Sequence, residues 1–273
     1  MATNEGTRSI RQTTPLKGDK LMHTNWQTTT GVVAPRTIAM VTGVFFVITY
    51  ITSILALILY GLVLNDPNYI IGAGADTHVL WGAFLEVILV IANIGTAVTL
   101  FSILKRRNEG VALGYVAARV VESIVIAVGI ISLLAVVTLR QDFAGAAGAD
   151  AATLVTVGKS LVAIHASTFL LGPGFCVGIG NGLLLGYLMY RSALVPRAMA
   201  MLGLVGGPLL FASSILVLFG FYEQVSVWAG IATIPEFLWE LSLGIWLIVK
   251  GFKPSPIASQ SAQTATNELL IGA

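Results

Sequence analysis

The run VALGYVAARVVESIVIAVGIISLLAVVTL, residues 111–139, carries charge only at Arg119 and Glu122. A helix rises about 1.5 Å per residue, so roughly 20 apolar residues cross a hydrocarbon core about 30 Å thick. Hydrocarbon offers backbone N–H and C=O groups no partners, which predicts a helix that satisfies them internally. Runs of the same kind lie at Ile38–Leu64, Leu80–Leu104, Leu170–Tyr190, Ala198–Phe221 and Val227–Val249. The expected fold is all-α, a polytopic transmembrane helix bundle of about six spans.

Composition agrees. Of the 273 residues 56% are hydrophobic and 10% charged, against roughly a quarter charged in soluble domains. Too few charges remain to clothe a surface in water, so the expected partner of the outer surface is the lipid bilayer. A net charge of +2 gives no footing for nucleic acid. Cys176 is the only cysteine, so no intrachain disulfide can form, and it reads as a small buried hydrophobe. The first 36 residues are polar and Thr-rich, without the pattern of a signal peptide. Ala2 stands where myristoylation needs glycine, and no prenylation box closes the sequence. The first span is therefore expected to act as its own insertion signal.

Orientation follows from Lys and Arg. Arg8, Arg11, Lys17, Lys20, Arg36, Lys105, Arg106, Arg107, Arg191, Arg197, Lys250 and Lys253 share one face of a six-span chain. The other face receives Asp66, Asp76, Asp142, Asp150 and Glu223 with only Arg140 and Lys159. The expectation is a plasma-membrane protein with both termini cytoplasmic, a disordered polar tail over 1–35, a membrane domain over 36–253 and a second disordered tail over 254–273.

Residues 153–169 test the count. Leu154, Val157, Leu161 and Ile164 recur at helical spacing between polar residues. A seventh span would carry Arg191, Arg197, Lys250 and Lys253 to the outside, so the reading is an extra outer interfacial amphipathic helix, or an extension of the fourth span bent at Gly172-Pro173-Gly174.

Helices in lipid associate where backbones approach closely. Gly174, Gly178, Gly182 and Gly186 form a stripe of period four in the fourth span, and Gly203 and Gly207 repeat it in the fifth. Packing within the chain is the expectation, with a homodimer or a membrane partner through the same stripe as the alternative. Gly178-Ile-Gly180-Asn-Gly182 imitates a phosphate loop, but no strand precedes it.

The costly residues are the polar ones at membrane depth. These are Glu86 and Asn93 in the second span, Arg119 and Glu122 in the third, Asn181 in the fourth, and Glu236 and Glu240 in the sixth. Counting the helical rise inward puts Arg119 about 12 Å and Glu240 roughly 13 Å from the same edge, which predicts an ion pair between them. One Arg against four Glu leaves a surplus of negative charge that protons, water or a bound cation must answer. Neutral, hydrogen-bonded acids beside a structural ion pair would suffice; a cavity for a proton, a cation or a cationic substrate is the alternative. His78 and His165 could join Glu86 as weak metal ligands, without any HExxH-type motif. No Ser/His/Asp elbow, P-loop or redox-cofactor motif occurs, so no cofactor is expected and the reading leans away from an enzyme.

One stretch is familiar. Asn181-Gly-Leu-Leu-Leu-Gly-Tyr-Leu-Met-Tyr-Arg191-Ser-Ala-Leu-Val-Pro-Arg197 resembles the signature of the bacterial membrane family called domain of unknown function 4386. The ending from Pro235-Glu236-Phe-Leu-Trp-Glu240 to Lys250-Gly251, together with Pro35-Arg36 and Ala118-Arg119-Val-Val-Glu122, is similar to other positions of that family. Ala198-Met-Ala-Met departs from its usual residues after Pro-Arg. The resemblance implies a membrane protein and transfers no catalytic residue. Two functions are left: a small transporter-like or proton/cation-coupled protein using the Glu/Arg cluster, whose ion or small-molecule substrate is unknown, and a non-enzymatic accessory or assembly subunit that packs through its glycine stripes.

Overall fold

The computed structural model describes residues 34–72, 76–144 and 149–253; the two tails lie outside them. The elements are α1 (Pro35–Leu59), α2 (Gly61–Asn65), α3 (Thr77–Leu104), α4 (Glu109–Asp142), α5 (Ala149–Phe169), α6 (Gly186–Ser192), α7 (Arg197–Leu218) and α8 (Val227–Val249), and no strand occurs among the described residues. Between α5 and α6 the chain winds as π-helix over Leu170–Cys176 and Gly178–Leu185. Six helices among the described residues are long and apolar enough to cross a membrane, with 150–192 counting as one. The protein is a multi-pass membrane protein and an all-α bundle.

Sequence explains the ends. Pro35 opens α1 at a position whose N–H has no helical partner. Asn108 and Ser226 cap α4 and α8 by accepting from Val111 N–H and Ala229 N–H. Gly251 leaves α8 with φ +73°, and its N–H donates to Trp246 C=O at 3.1 Å. Arg36 donates to the carbonyls of Leu247, Ile248 and Val249, so a guanidinium from the start of α1 closes the C-terminal end of α8. A Cβ on Gly251 would stand 2.9 Å from that guanidinium. The Pro-Arg and Lys-Gly motifs at opposite ends of the domain thus form one device.

Each span packs on the next in chain order, and α8 returns to α1, closing a ring. The face toward the surroundings is apolar, with Ile51, Ile58, Ile91, Val98, Ile131 and Ile231 among its exposed side chains, as lipid contact requires. In the half of the ring nearest Arg36, Lys105 and Lys253, which we call the terminal face, Phe46, Leu100, Tyr115, Leu188, Trp239 and Leu243 fill the centre with 1% or less of each exposed. A smaller core at the opposite face joins Tyr60, Tyr69, Val79, Leu133, Val136 and Leu154.

The segment over 153–169 proves to be the part of the fourth rod away from the terminal face, an extension of the fourth span as in the second of the two expected arrangements. Its buried face is Leu154, Gly158, His165 and Thr168, while Val157 and Ile164 point outward. Thr156, Lys159, Ser160 and Ser167 are exposed beside them, so the outward face mixes polar and apolar side chains. At Gly172-Pro173-Gly174 the rod loosens rather than breaks. Pro173 has no N–H to continue the α pattern, and the N–H of Val177 instead donates to Gly172 C=O, five residues back.

The glycine stripe is used within the chain. A Cβ on Gly178 would lie 2.9 Å from the carbonyl oxygen of Gly207, and one on Gly174 would lie 2.7 Å from Ser214 Oγ. Gly182 faces the Gly207 backbone, Gly186 the α7 backbone at Leu204, and Gly203 the indole of Trp239.

Candidate functional site

All six walls of the ring contribute to a central cavity of about 310 Å³. Two polar groupings line its walls. On the first, Arg119, Glu122 and Asn93 form a closed triangle. Arg119 Nη1 lies 2.7 Å from Glu122 Oε2, Arg119 Nη2 donates to Asn93 Oδ1, and Asn93 Nδ2 donates to Glu122 Oε1 at 3.0 Å. Arg119 and Glu122 are three apart on α4 and so project to one side. Asn93 reaches them from α3, where Thr96 turns back on its carbonyl. Guanidinium, amide and carboxylate are 2%, 1% and 4% exposed. A buried charge pair is tolerable when hydrogen bonds complete it, and Asn93 supplies them.

The second grouping lies on α8. Glu240 accepts from Asn181 Nδ2 through Oε1 and from Tyr50 O–H through Oε2 at 3.4 Å. The Tyr50 hydroxyl also donates to Phe237 C=O at 2.8 Å, and its ring meets that of Phe237 edge to face at 4.9 Å. The widened backbone around Asn181 exposes its carbonyl, which accepts from Trp239 Nε1–H at 2.9 Å. Glu236, one helical turn nearer the opposite face, differs from these. It is 2% exposed, lines the cavity, and neither carboxyl oxygen has a protein hydrogen-bond partner. Two features deliver it there. Pro235 removes a helical donor from the preceding backbone, and α7 approaches so closely that a Cβ on Gly206 would stand 2.5 Å from Glu236 N.

The ion pair expected between Arg119 and Glu240 is not formed. Helical rise puts two residues level but says nothing about which way each points, and Arg119 is taken by Glu122 on its own helix and by Asn93. Glu86 is also apart from the cavity. It accepts from Tyr60 O–H at 2.8 Å, with His165 Nε2 at 3.9 Å from its other oxygen, and the apolar cluster of Ala83, Leu89, Ile126 and Ile130 is a separate packing unit on the same helices. Glu86 and His165 thus meet, as the sequence suggested, but no group of three or more His, Cys, Asp or Glu placed to hold a metal occurs among the described residues, and His78 joins none. The surplus of charge sharpens accordingly. At the cavity one Arg faces Glu122, Glu236 and Glu240, two negative charges over.

Sequence reasoning missed the α1 wall. Thr49, Tyr50 and Ser53 border the cavity, and none carries a charge to mark it. A tyrosine in the middle of an apolar span was the available signal, since its hydroxyl needs a partner there.

The cavity is asymmetric along the membrane normal. Its lining reaches Ala229 and Gln224, the latter in the α7–α8 connection at the opposite face, whereas toward the terminal face the Trp239–Leu243 core occupies the centre. From Ala229 to Glu236 the helix descends about 10 Å.

The family profile described as Domain of unknown function (DUF4386) matches residues 41–251. Neither the curated proteins nor the solved structures contain a match to the sequence.

Proposed function

The chain belongs to that family, and we propose that it is a small transporter-like protein of the plasma membrane whose central cavity binds a proton or another cation. The observation that supports this reading is Glu236. A carboxyl withdrawn from solvent without a donor is costly, and structure alone gives no reason to keep it beside Glu240 and Glu122. A proton or monovalent cation at this position answers one of the two uncompensated charges, and the hydrogen bonds of Glu240 to Asn181 and Tyr50 ease the other. The cavity's reach toward one face and its closure by packed side chains toward the other are what one state of an alternating-access carrier requires. The positive-inside bias supports an outward-facing state with both termini cytoplasmic. The intrachain contacts of the glycine stripes, between the fourth rod and α7 and from Gly203 to Trp239, favour this reading over the accessory subunit.

The test is thermal unfolding of the chain in nanodiscs across pH and across sodium, potassium and methylammonium chloride. The wild type responds to at least one of these variables, and Glu236→Gln loses that response. An unchanged response in Glu236→Gln contradicts the proposal.

A further inference from the structure

We propose that the occupant of the cavity is a small organic ammonium with an apolar body, its charged head at Glu236 and its hydrocarbon against Ile54, Leu57, Leu89 and Phe237. This rests on the cation reading above and names the class of cation.

The walls carry the inference. Above Glu236 the lining is largely hydrocarbon, and three of the hydroxyls interspersed there spend their protons on the backbone. Ser53 donates to Tyr50 C=O at 3.1 Å, Ser214 to Leu210 C=O at 2.9 Å and Thr233 to Ala229 C=O at 2.8 Å. A dehydrated inorganic cation needs a shell of several oxygens; calcium takes six to eight. Here Glu236 offers two free oxygens, Glu240 already accepts two hydrogen bonds, and no metal-holding group of three occurs among the described residues.

An ammonium asks for less. Its few N–H donors are met by one or two carboxyls, and its chain gains by leaving water for an apolar wall. The cavity's 310 Å³ lies within the range of small-molecule sites. The rings of Tyr50 and Phe237 adjoin the carboxyls and add attraction for a cation. Arg119 does not oppose it, because both of its terminal nitrogens are engaged by Glu122 and Asn93. Arg119 Nε keeps a free N–H, but the carboxyls of Glu236 and Glu240 disfavour an anion beside it.

The experiment measures unfolding temperature of the purified full chain in nanodiscs against n-alkylammonium chlorides from methyl to hexyl. The alcohols of equal length are run beside them, with sodium, potassium and magnesium chloride at matched ionic strength. The expected result is stabilisation by the ammonium series alone, the apparent Kd falling about fourfold per added methylene while the chain still fits. Glu236→Gln weakens that binding at least tenfold. Ile54→Ala, on the exposed margin of the wall, weakens hexylammonium and leaves methylammonium unchanged, so the inference stays testable if Glu236→Gln folds poorly. Equal effects of alcohols and ammoniums, or affinity independent of chain length, overturn it. A Glu236-dependent response to pH or inorganic cations without any response to ammoniums overturns the organic class and leaves the cation reading standing. No Glu236-dependent response to any of them overturns both.

Discussion

The α3–α4 wall of the cavity and the α8 wall carry the same kinds of side chain and treat them differently. Arg119, Glu122 and Asn93 satisfy one another in a closed triangle, so their charge is settled inside the protein. On α8, Glu240 is held by Asn181 and Tyr50, and Glu236 by nothing. Glu236 is as buried as the triangle, at 2% exposed, so burial is not what separates it from them. What separates them is partnership. A cluster in which both carboxylate oxygens and both terminal guanidinium nitrogens are bonded is a fixture of the fold, although Arg119 Nε is left over. A carboxyl of equal burial with neither oxygen bonded is a place where something outside the chain completes the structure.

Substitutions can break that contrast. The largest loss of stability is expected for Arg119→Ala, which strands Glu122 among apolar neighbours. Removal of one member of a buried pair costs about 3–5 kcal/mol, and denaturant titration in mixed micelles reads it. Gly182→Ala comes next, since its methyl would press on the Gly207 backbone and stand 2.7 Å from Glu236 Oε2. Overpacking of that kind costs about 1–3 kcal/mol, and the same variant should lower cation binding because the methyl intrudes on the carboxyl. Tyr50→Phe removes the hydroxyl shared between Phe237 C=O and Glu240 and should cost about 0.6 kcal/mol, the usual worth of one such bond between membrane helices. Glu236→Gln should move stability least, by under about 0.5 kcal/mol, the lower end of one hydrogen bond's worth, because no protein bond is lost. A loss as large as that of Arg119→Ala would mean that Glu236 is as structural as the triangle, and the contrast would collapse.

Much of this was legible in the sequence, residue by residue. Apolar length located the spans, and the period-four glycines located the contact between the fourth and fifth. Arg119, Glu122, Glu236, Glu240 and Asn93 were marked as costly, and they do share one cavity. What could not be read was direction. Arg119 and Glu240 are level, yet rotation about each helix axis, set by ring closure between α1 and α8, turns Arg119 to Asn93. Glu86 was grouped with them on its charge, although two turns of α3 carry it about 10 Å along the axis from Asn93, to Tyr60 and His165. Tyr50 went unnoticed because a neutral side chain leaves no mark in a charge pattern.

The central claim is that Glu236 makes a negatively charged, solvent-reachable cavity that opens away from the termini. Thr233 lines that cavity one turn above Glu236, so Thr233→Cys in a Cys176→Ala background places a thiol in its path. The measurement is the rate at which cationic and anionic methanethiosulfonates of similar size modify it in oriented membranes. The account predicts modification from the face opposite the termini only, with the cationic reagent faster by about tenfold or more and that advantage lost in Glu236→Gln. Equal rates for the two reagents, or modification only from the terminal face, would contradict it.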